Sequence, residues 1–208
     1  MPEPTSEPTS RTAPESSSLE APVLLLAMPQ VQDPHFFQSV VLLLRHENEG
    51  SFGFIVNRPL ETPLVDILEN LEISTWEGGP EATAYLGGPV QPQLGTVLFV
   101  PDQEGHLQGE GTSEVLPGIG MTHHVGDLES LAAQPPGKIR LLLGYSAWGD
   151  GQLIDEILRN DWLVAPVDLD LIFADEPGSV WGAALRSVGV DPASLPSWTG
   201  DSGDGEAN

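Results

Sequence analysis

Apolar residues in this chain come in short bursts separated by turn residues, not in long stripes. APVLLLA (21–27), SVVLLLRH (39–46) and SFGFIVNR (51–58) have strand length and are rich in leucine or β-branched residues. ENEG (47–50) between the last two predicts a hairpin connection, with Gly50 free to take a positive φ. The same reading places strands at LGTVLFVP (94–101), KIRLLLGY (138–145), WLVAPVD (162–168) and LDLIFA (169–174). Helices are fewer. TPLVDILENL (62–71) opens with Thr62 as a cap and proline at the first position, DLESLAAQ (127–134) is short, and PGSVWGAALRSVG (177–189) puts Val180, Ala183, Ala184 and Val188 on one face. Strands and helices do not alternate strictly. The pattern therefore predicts an α+β fold: a compact single domain with a mostly antiparallel, curved or small-barrel sheet and flanking helices.

The segment GYSAWGDGQLIDEILRNDW (144–162) tests for chemistry. A strand, a turn and a helix around Ser146 suggest a nucleophile elbow, but that motif is G-x-S-x-G and here Gly144, Ser146 and Gly149 give one residue too many. All five histidines (35, 46, 106, 123 and 124) precede Ser146, whereas in the elbow fold a histidine follows the serine. An ordinary helix accounts for most of the segment. Asp150 would cap it, with Leu153, Ile154, Ile157 and Leu158 on the apolar face, Asp155 pairing with Arg159, and Asn160 closing the end. That leaves Ser146, Trp148 and Gln152 for a shallow surface at the helix N-terminus, where free N–H groups favour an anion.

Other motifs have bland readings beside functional ones. Asn57-Arg58-Pro59 follows a strand, and Arg58 in so acidic a chain is expected to have a carboxylate partner holding the strand end, with anion or partner recognition as the alternative. Gly87-Gly88-Pro89 lacks the further glycine and lysine of a phosphate loop and reads as a tight turn where two backbones approach. His123 and His124, with His106 and Glu110 upstream, do not have metal-ligand spacing, and adjacent histidines in a strand face opposite sides. No metal and no cofactor is expected.

Composition adds one strong constraint. Among 208 residues there are 31 Asp+Glu against 7 Lys+Arg, for a formal net charge of −24, with Lys138 the only lysine. Such a surface repels phosphate backbones, so direct nucleic-acid binding is disfavoured. Residues 1–20 are Pro, Ser, Thr and Glu with little to bury, and 196–208 are similar apart from Trp198. Both are expected to be disordered acidic tails around a domain at 21–195. Each tail carries a net −3, so the tails do not account for the charge, and adaptation to a salty cytoplasm is the expected cause. With no cysteine, disulfides and thiolate sites are excluded. No apolar run approaches the ~18 residues of a membrane span, and the N-terminus does not read as a secretory signal, so a cytoplasmic location away from membranes is expected.

Four segments carry a family resemblance. GYSAWGDGQLIDEILRNDWLVAPVD resembles the G-Y-(A/S)-G-W-x-x-G-Q-L-E-x-E signature of the YqgE/AlgH family, also called UPF0301 or DUF179. MPQVQDPHFFQSVVLLLRHENEGSFGFIVNRPL (28–60), YLGGPVQPQLGTVLF (85–99) and DLDLIFADEPGSVWGAALRSVGVD (168–191) are similar to its other blocks, in the family's order. Ala147 stands where the family usually has glycine, and His123 and His124 near where a serine would lie. The resemblance implies an α+β fold with a small closed barrel and flanking helices. It also implies a widely bacterial protein without an agreed reaction, some of whose relatives carry a transcriptional-regulator label. The combined expectation is a binding or regulatory protein that contacts an unidentified small molecule or protein through Asn57, Arg58, Gly88, Pro89, Ser146, Trp148 and Gln152, on strand ends and turns. A hydrolase using Ser146 or a carboxylate is the alternative. A third reading is an acidic surface that docks a basic partner.

Overall fold

A computed structural model of the chain describes residues 19–73, 75–79, 82–102 and 107–196. The tails expected at the two ends fall almost wholly outside the described residues, as do Trp198 and His106.

Ten strands form one curled sheet. β1 (Val23–Ala27), β2 (Val40–Glu47) and β3 (Gly50–Ile55) form an antiparallel meander, and β10 (Trp162–Ala165) returns to pair with the outer side of β1. β9 (Lys138–Trp148) is the hub. Its last residues pair with β3, most of its length pairs with β6 (Val90–Val100), and Leu142 and Leu143 also pair in parallel with β5 (Thr83–Leu86). β8 (Ile119–Thr122) and β7 (Ser113–Leu116) extend the sheet beyond β6, and β4 (Pro59–Pro63) pairs with β5. The path runs open from β10 to β7, so the sheet is a half-barrel and not the closed barrel that the resemblance implied.

Both faces of the meander are covered, which explains why VLLLA and VVLLL are continuous apolar runs. Leu24, Leu26, Val40 and Leu42 pack with Phe54 against α5 (Pro177–Ser187), through Val180, Ala184 and Leu185. Their neighbours Leu25, Ala27, Val41 and Leu43 face the other way, toward Trp148, Leu153 and Trp162, where α3 (Gln152–Leu158) lies. A further cluster joins α1 (Leu64–Asn70) and α2 (Val125–Ala133) to Val97, Phe99 and Leu141 of the sheet. Each leucine buried in these layers contributes on the order of 1.5–3 kcal/mol.

Several local expectations are corrected. LDLIFA is not a strand: Asp168 accepts a hydrogen bond from the Asp170 amide, at 2.8 Å, and starts the one-turn helix α4 (Leu169–Ile172). β9 runs on through Ser146 to Trp148 instead of turning after Tyr145. The residue before α3 is Gly151, at φ 67°, and not Asp150; the residue before α1 is Pro63, with no side-chain cap from Thr62. Leu158 is 75% exposed and does not belong to the apolar face of α3. Arg159 pairs with Asp161 at 3.1 Å, not with Asp155. Asn160 does close the helix end, at φ 61°.

Candidate functional site

The segment around Ser146 is a brace built from its own conspicuous residues. Ser146 is fully buried in β9, opposite Gly53, and its hydroxyl donates to the Gly87 carbonyl at 3.2 Å. Trp148 also points inward, and its indole N–H donates to Oε2 of Glu156 at 2.8 Å. Trp162 donates to the same oxygen at 2.7 Å, and Gln152 Nε2 donates to Oε1 at 2.9 Å. The other end of the Gln152 amide accepts from the Gly149 amide, which closes the turn into α3. Phe36 completes the cluster, edge-on to Trp162 with ring centroids 5.6 Å apart.

The other expected surface residues have comparable tasks. Asn57 accepts from the Val40 amide at 2.8 Å and donates to the Gln38 carbonyl at 3.0 Å. Arg58 donates to the carbonyls of Phe37 and His35, so among the described residues its partners are backbone oxygens instead of the expected carboxylate. Together they clamp the turn before β2. At Gly88 a Cβ would sit 2.2 Å from the Tyr145 carbonyl carbon, which is the close backbone approach the glycine pair suggested. Pro89 beside it is exposed. The structure thus joins Ser146, Trp148 and Gln152 to one region but places Asn57 and Arg58 at a separate turn.

Among the described residues no histidine bonds to Ser146. The one serine–histidine hydrogen bond among the described residues joins Ser51 Oγ to His46 Nδ1, at 2.7 Å across β2 and β3. Ser51 borders a shallow recess of about 510 Å³ with Arg45, Glu47, Glu49, Tyr145 and Trp148. Among the described residues no carboxylate bonds the other nitrogen of His46, so the pair lacks the group that orients a catalytic histidine. No three His, Asp or Glu residues gather as metal ligands among the described residues. His123 and His124 are exposed. Asp127, at the start of α2, is turned inward: its Oδ2 accepts from the hydroxyls of Thr122 and Thr112 and from the Gly111 amide. Burial works against its charge, but those donors and His124 more than offset it and hold the carboxyl below its ordinary value.

A wide opening lies elsewhere in the fold. A cleft of about 620 Å³ runs between β4–β5, the start of β9 and the connection from α4 to α5. Trp76, Tyr85, Phe173 and several prolines form its apolar walls, with Lys138, Arg140, Glu77 and Asp175 as its charged groups. Arg140 is only 4% exposed. Its guanidinium lies 3.9 Å above the Tyr85 ring, and Nη2 donates to the Ala174 carbonyl at 2.5 Å. Nε and Nη1 are sealed from bulk water and have no hydrogen-bond partner among the described residues. Burial pulls its pKa down while Tyr85 and Asp175 favour the charge, and it remains a cation at neutral pH. Sequence reasoning passed over this residue. The signal was an arginine inside K-I-R-L-L-L, on the strand face that also carries the fully buried Leu142.

Fold and site together define an α+β protein with a curled antiparallel sheet, an aromatic brace and a cleft beside Arg140. The chain belongs to the AlgH-like family (DUF179), whose profile matches residues 24–193. It is 41% identical over 175 residues to a UPF0301 protein of Myxococcus xanthus, covering 84% of this chain and 94% of that one. A UPF0301 protein of Cereibacter sphaeroides is 40% identical over 179 residues, covering 85% and 96%. The solution structure of the AlgH protein from Pseudomonas aeruginosa is similar with a TM-score of 0.68 and 32% identity, over 84% of this chain and 94% of that one. A crystal structure of a Corynebacterium diphtheriae protein, 23% identical with a TM-score of 0.67, shares the fold, over 83% and 89%.

Proposed function

We propose that the chain acts by binding a small molecule in the cleft beside Arg140, without catalysing a reaction. The observation that carries this reading is the cleft itself. Its volume of about 620 Å³ lies within the ~300–1,000 Å³ of ordinary ligand sites, and its walls combine apolar and polar surface in about equal measure, with Trp76, Tyr85 and Phe173 beside a few charged groups. The serine that a hydrolase would use is buried with its hydroxyl committed to Gly87. The seven strand-end and turn residues then serve mainly to hold the scaffold, with Pro89 and Gln152 left at the surface. A regulatory role follows if occupancy of the cleft is read by a protein partner. The net charge of −24 argues against DNA as that partner. The described residues include no helix long and apolar enough to cross a membrane. The proposed working environment is a salty cytoplasm.

The test is a thermal-shift screen in about molar KCl, where surface repulsion is screened. Nucleotides, sugar phosphates, acyl esters, organic acids and their amides make up the panel. The expected result is a saturable rise in Tm for a ligand recovered unchanged. Turnover of an acyl ester that survives removal of contaminating enzymes and is lost in Ser51→Ala would replace binding with hydrolysis.

A further inference from the structure

We propose that the cleft takes a small organic monocarboxylate, its head on the Arg140 guanidinium and its apolar body along Tyr85, Trp76 and Phe173. The inference deepens the binding reading above and rests on it. It starts from an imbalance. The chain has 31 acidic side chains and 7 basic ones, yet among the described residues no carboxylate hydrogen-bonds its buried arginine, and Asp175 acts on it only through its charge. Buried N–H groups without acceptors are costly, and a guanidinium costs more than a neutral amide. A ligand acceptor removes that cost.

The geometry selects the head group. Nη2 carries two hydrogens, one beside Nε–H and one beside Nη1–H. The Ala174 carbonyl takes one of them. Whichever it takes, the other still lies next to a free nitrogen, so one two-pronged edge of the guanidinium stays intact. A carboxylate matches such an edge with two parallel hydrogen bonds.

Charge selects a monoanion. Lys138, the other cation of the cleft, is already paired with Asp170 at 2.6 Å. Glu77 and Asp175 are carboxylates on the same walls. The Arg140 guanidinium therefore shares the walls with two carboxylates, of which Asp175 already acts on its charge, and a phosphate dianion would be repelled there more than a monoanion. The Nε and Nη1 atoms are closed off from bulk water, so the wall must yield by about an atom's width to admit an oxygen. The exposed turn at Asp175–Glu176 is where it can do so.

The experiment titrates the full-length protein with benzoate and octanoate, with benzamide and octanamide as neutral counterparts and phenyl phosphate as the dianion. Trp76 fluorescence reports on the cleft, and the Arg140 Nε–Hε resonance in nitrogen-edited NMR reports on the guanidinium with no substitution needed. The expected result is saturable binding of the carboxylates with a shift of that resonance, and amides weaker by about tenfold. Arg140→Lys, which keeps the charge and loses the fork, should weaken carboxylates about tenfold. Arg159→Ala, at an exposed side chain outside the cleft lining, should leave them within about twofold. Carboxylates and amides binding alike, with the Arg140 resonance unmoved, would overturn the carboxylate while leaving the binding reading intact. Tighter binding of phenyl phosphate would overturn the monoanion. If none of these probes binds and the wider screen is also flat, both readings fall. If Arg140→Lys does not fold, the resonance in the unaltered protein decides.

Discussion

Trp148 and Trp162 donate their indole N–H groups to the same carboxylate oxygen, Oε2 of Glu156, at 2.8 and 2.7 Å. One residue ends β9 and the other begins β10, so a single side chain from α3 ties two strands that are not neighbours in the sheet. Both rings are nearly buried, and in Glu156→Leu neither N–H would keep its acceptor. We expect this substitution to cost about 2–5 kcal/mol, and Glu156→Gln, which keeps one acceptor oxygen, about 1–3 kcal/mol. Urea denaturation followed by tryptophan fluorescence measures both. Equal stability of Glu156→Leu and the unaltered chain would mean that the bridge contributes nothing to the fold.

Asp127 gives a pH dependence with a definite sign. Its carboxyl is held below the ordinary value of 3.8, so the folded state binds its proton less readily than the unfolded state. Its contribution is therefore fully present above pH 3.8 and is lost as pH falls through the lower folded value. Asp127→Asn should lower stability at neutral pH by about 1–3 kcal/mol and flatten the acid limb of the stability curve. Parallel acid limbs for the two proteins would show that other carboxylates control acid unfolding.

Glycines in this fold divide by what surrounds them. A Cβ at Gly88 or Gly144 would strike backbone atoms at 2.2 and 2.4 Å, where the turn after β5 passes close against β9. Gly151 has φ 67° but nothing within 4 Å. Gly88→Ala and Gly144→Ala should therefore each cost 3 kcal/mol or more, roughly, because backbone must move. Gly151→Asn should cost less than about 1 kcal/mol, since asparagine tolerates the left-handed region. Thermal melts of the three variants make the comparison, and a ranking in the reverse order would refute the close backbone approach as the reason for these glycines.

Ser146→Ala removes one buried hydrogen bond to a carbonyl that also accepts from the Ile55 amide, at 2.8 Å. The expected cost is about 1 kcal/mol, with no change in ligand binding at the cleft. A loss of catalytic turnover in this variant, at unchanged stability, would restore the serine as a nucleophile.

The meander, the helix that Asn160 closes, and the curled antiparallel sheet were legible in the sequence because short apolar runs and turn residues encode them locally. Other features were not. LDLIFA has strand composition, but its conformation is decided by the Asp168 side chain closing on the Asp170 amide. TAYL (83–86) and IGMT (119–122) are too short to show a period, and only pairing with β9 and β6 makes them strands. The tryptophans and Gln152 were visible as a signature, while Glu156, which unites them, looked like any charged residue on a helix. Arg140 had the opposite problem, since its place among apolar residues was visible, but that two of its nitrogens lack an acceptor among the described residues is a property of three dimensions.

High net charge predicts that salt will stabilise the chain. Raising KCl from low salt to about 1 M should shift the urea midpoint upward, because screening falls to ~3 Å at that concentration. An unchanged midpoint would remove salt adaptation as the reason for the acidity.

The pairing of β1 with β10 has a consequence for synthesis. Leu24, Leu25 and Leu26 emerge early, yet the strand that covers their outer edge ends at Ala165, and Trp181 donates its indole N–H to the Ala27 carbonyl across 154 residues. On the ribosome, the first strand therefore waits with a hydrophobic edge exposed until most of the chain has been made. That interval, in which the edge can pair with another nascent chain, is the period of greatest aggregation hazard for this protein.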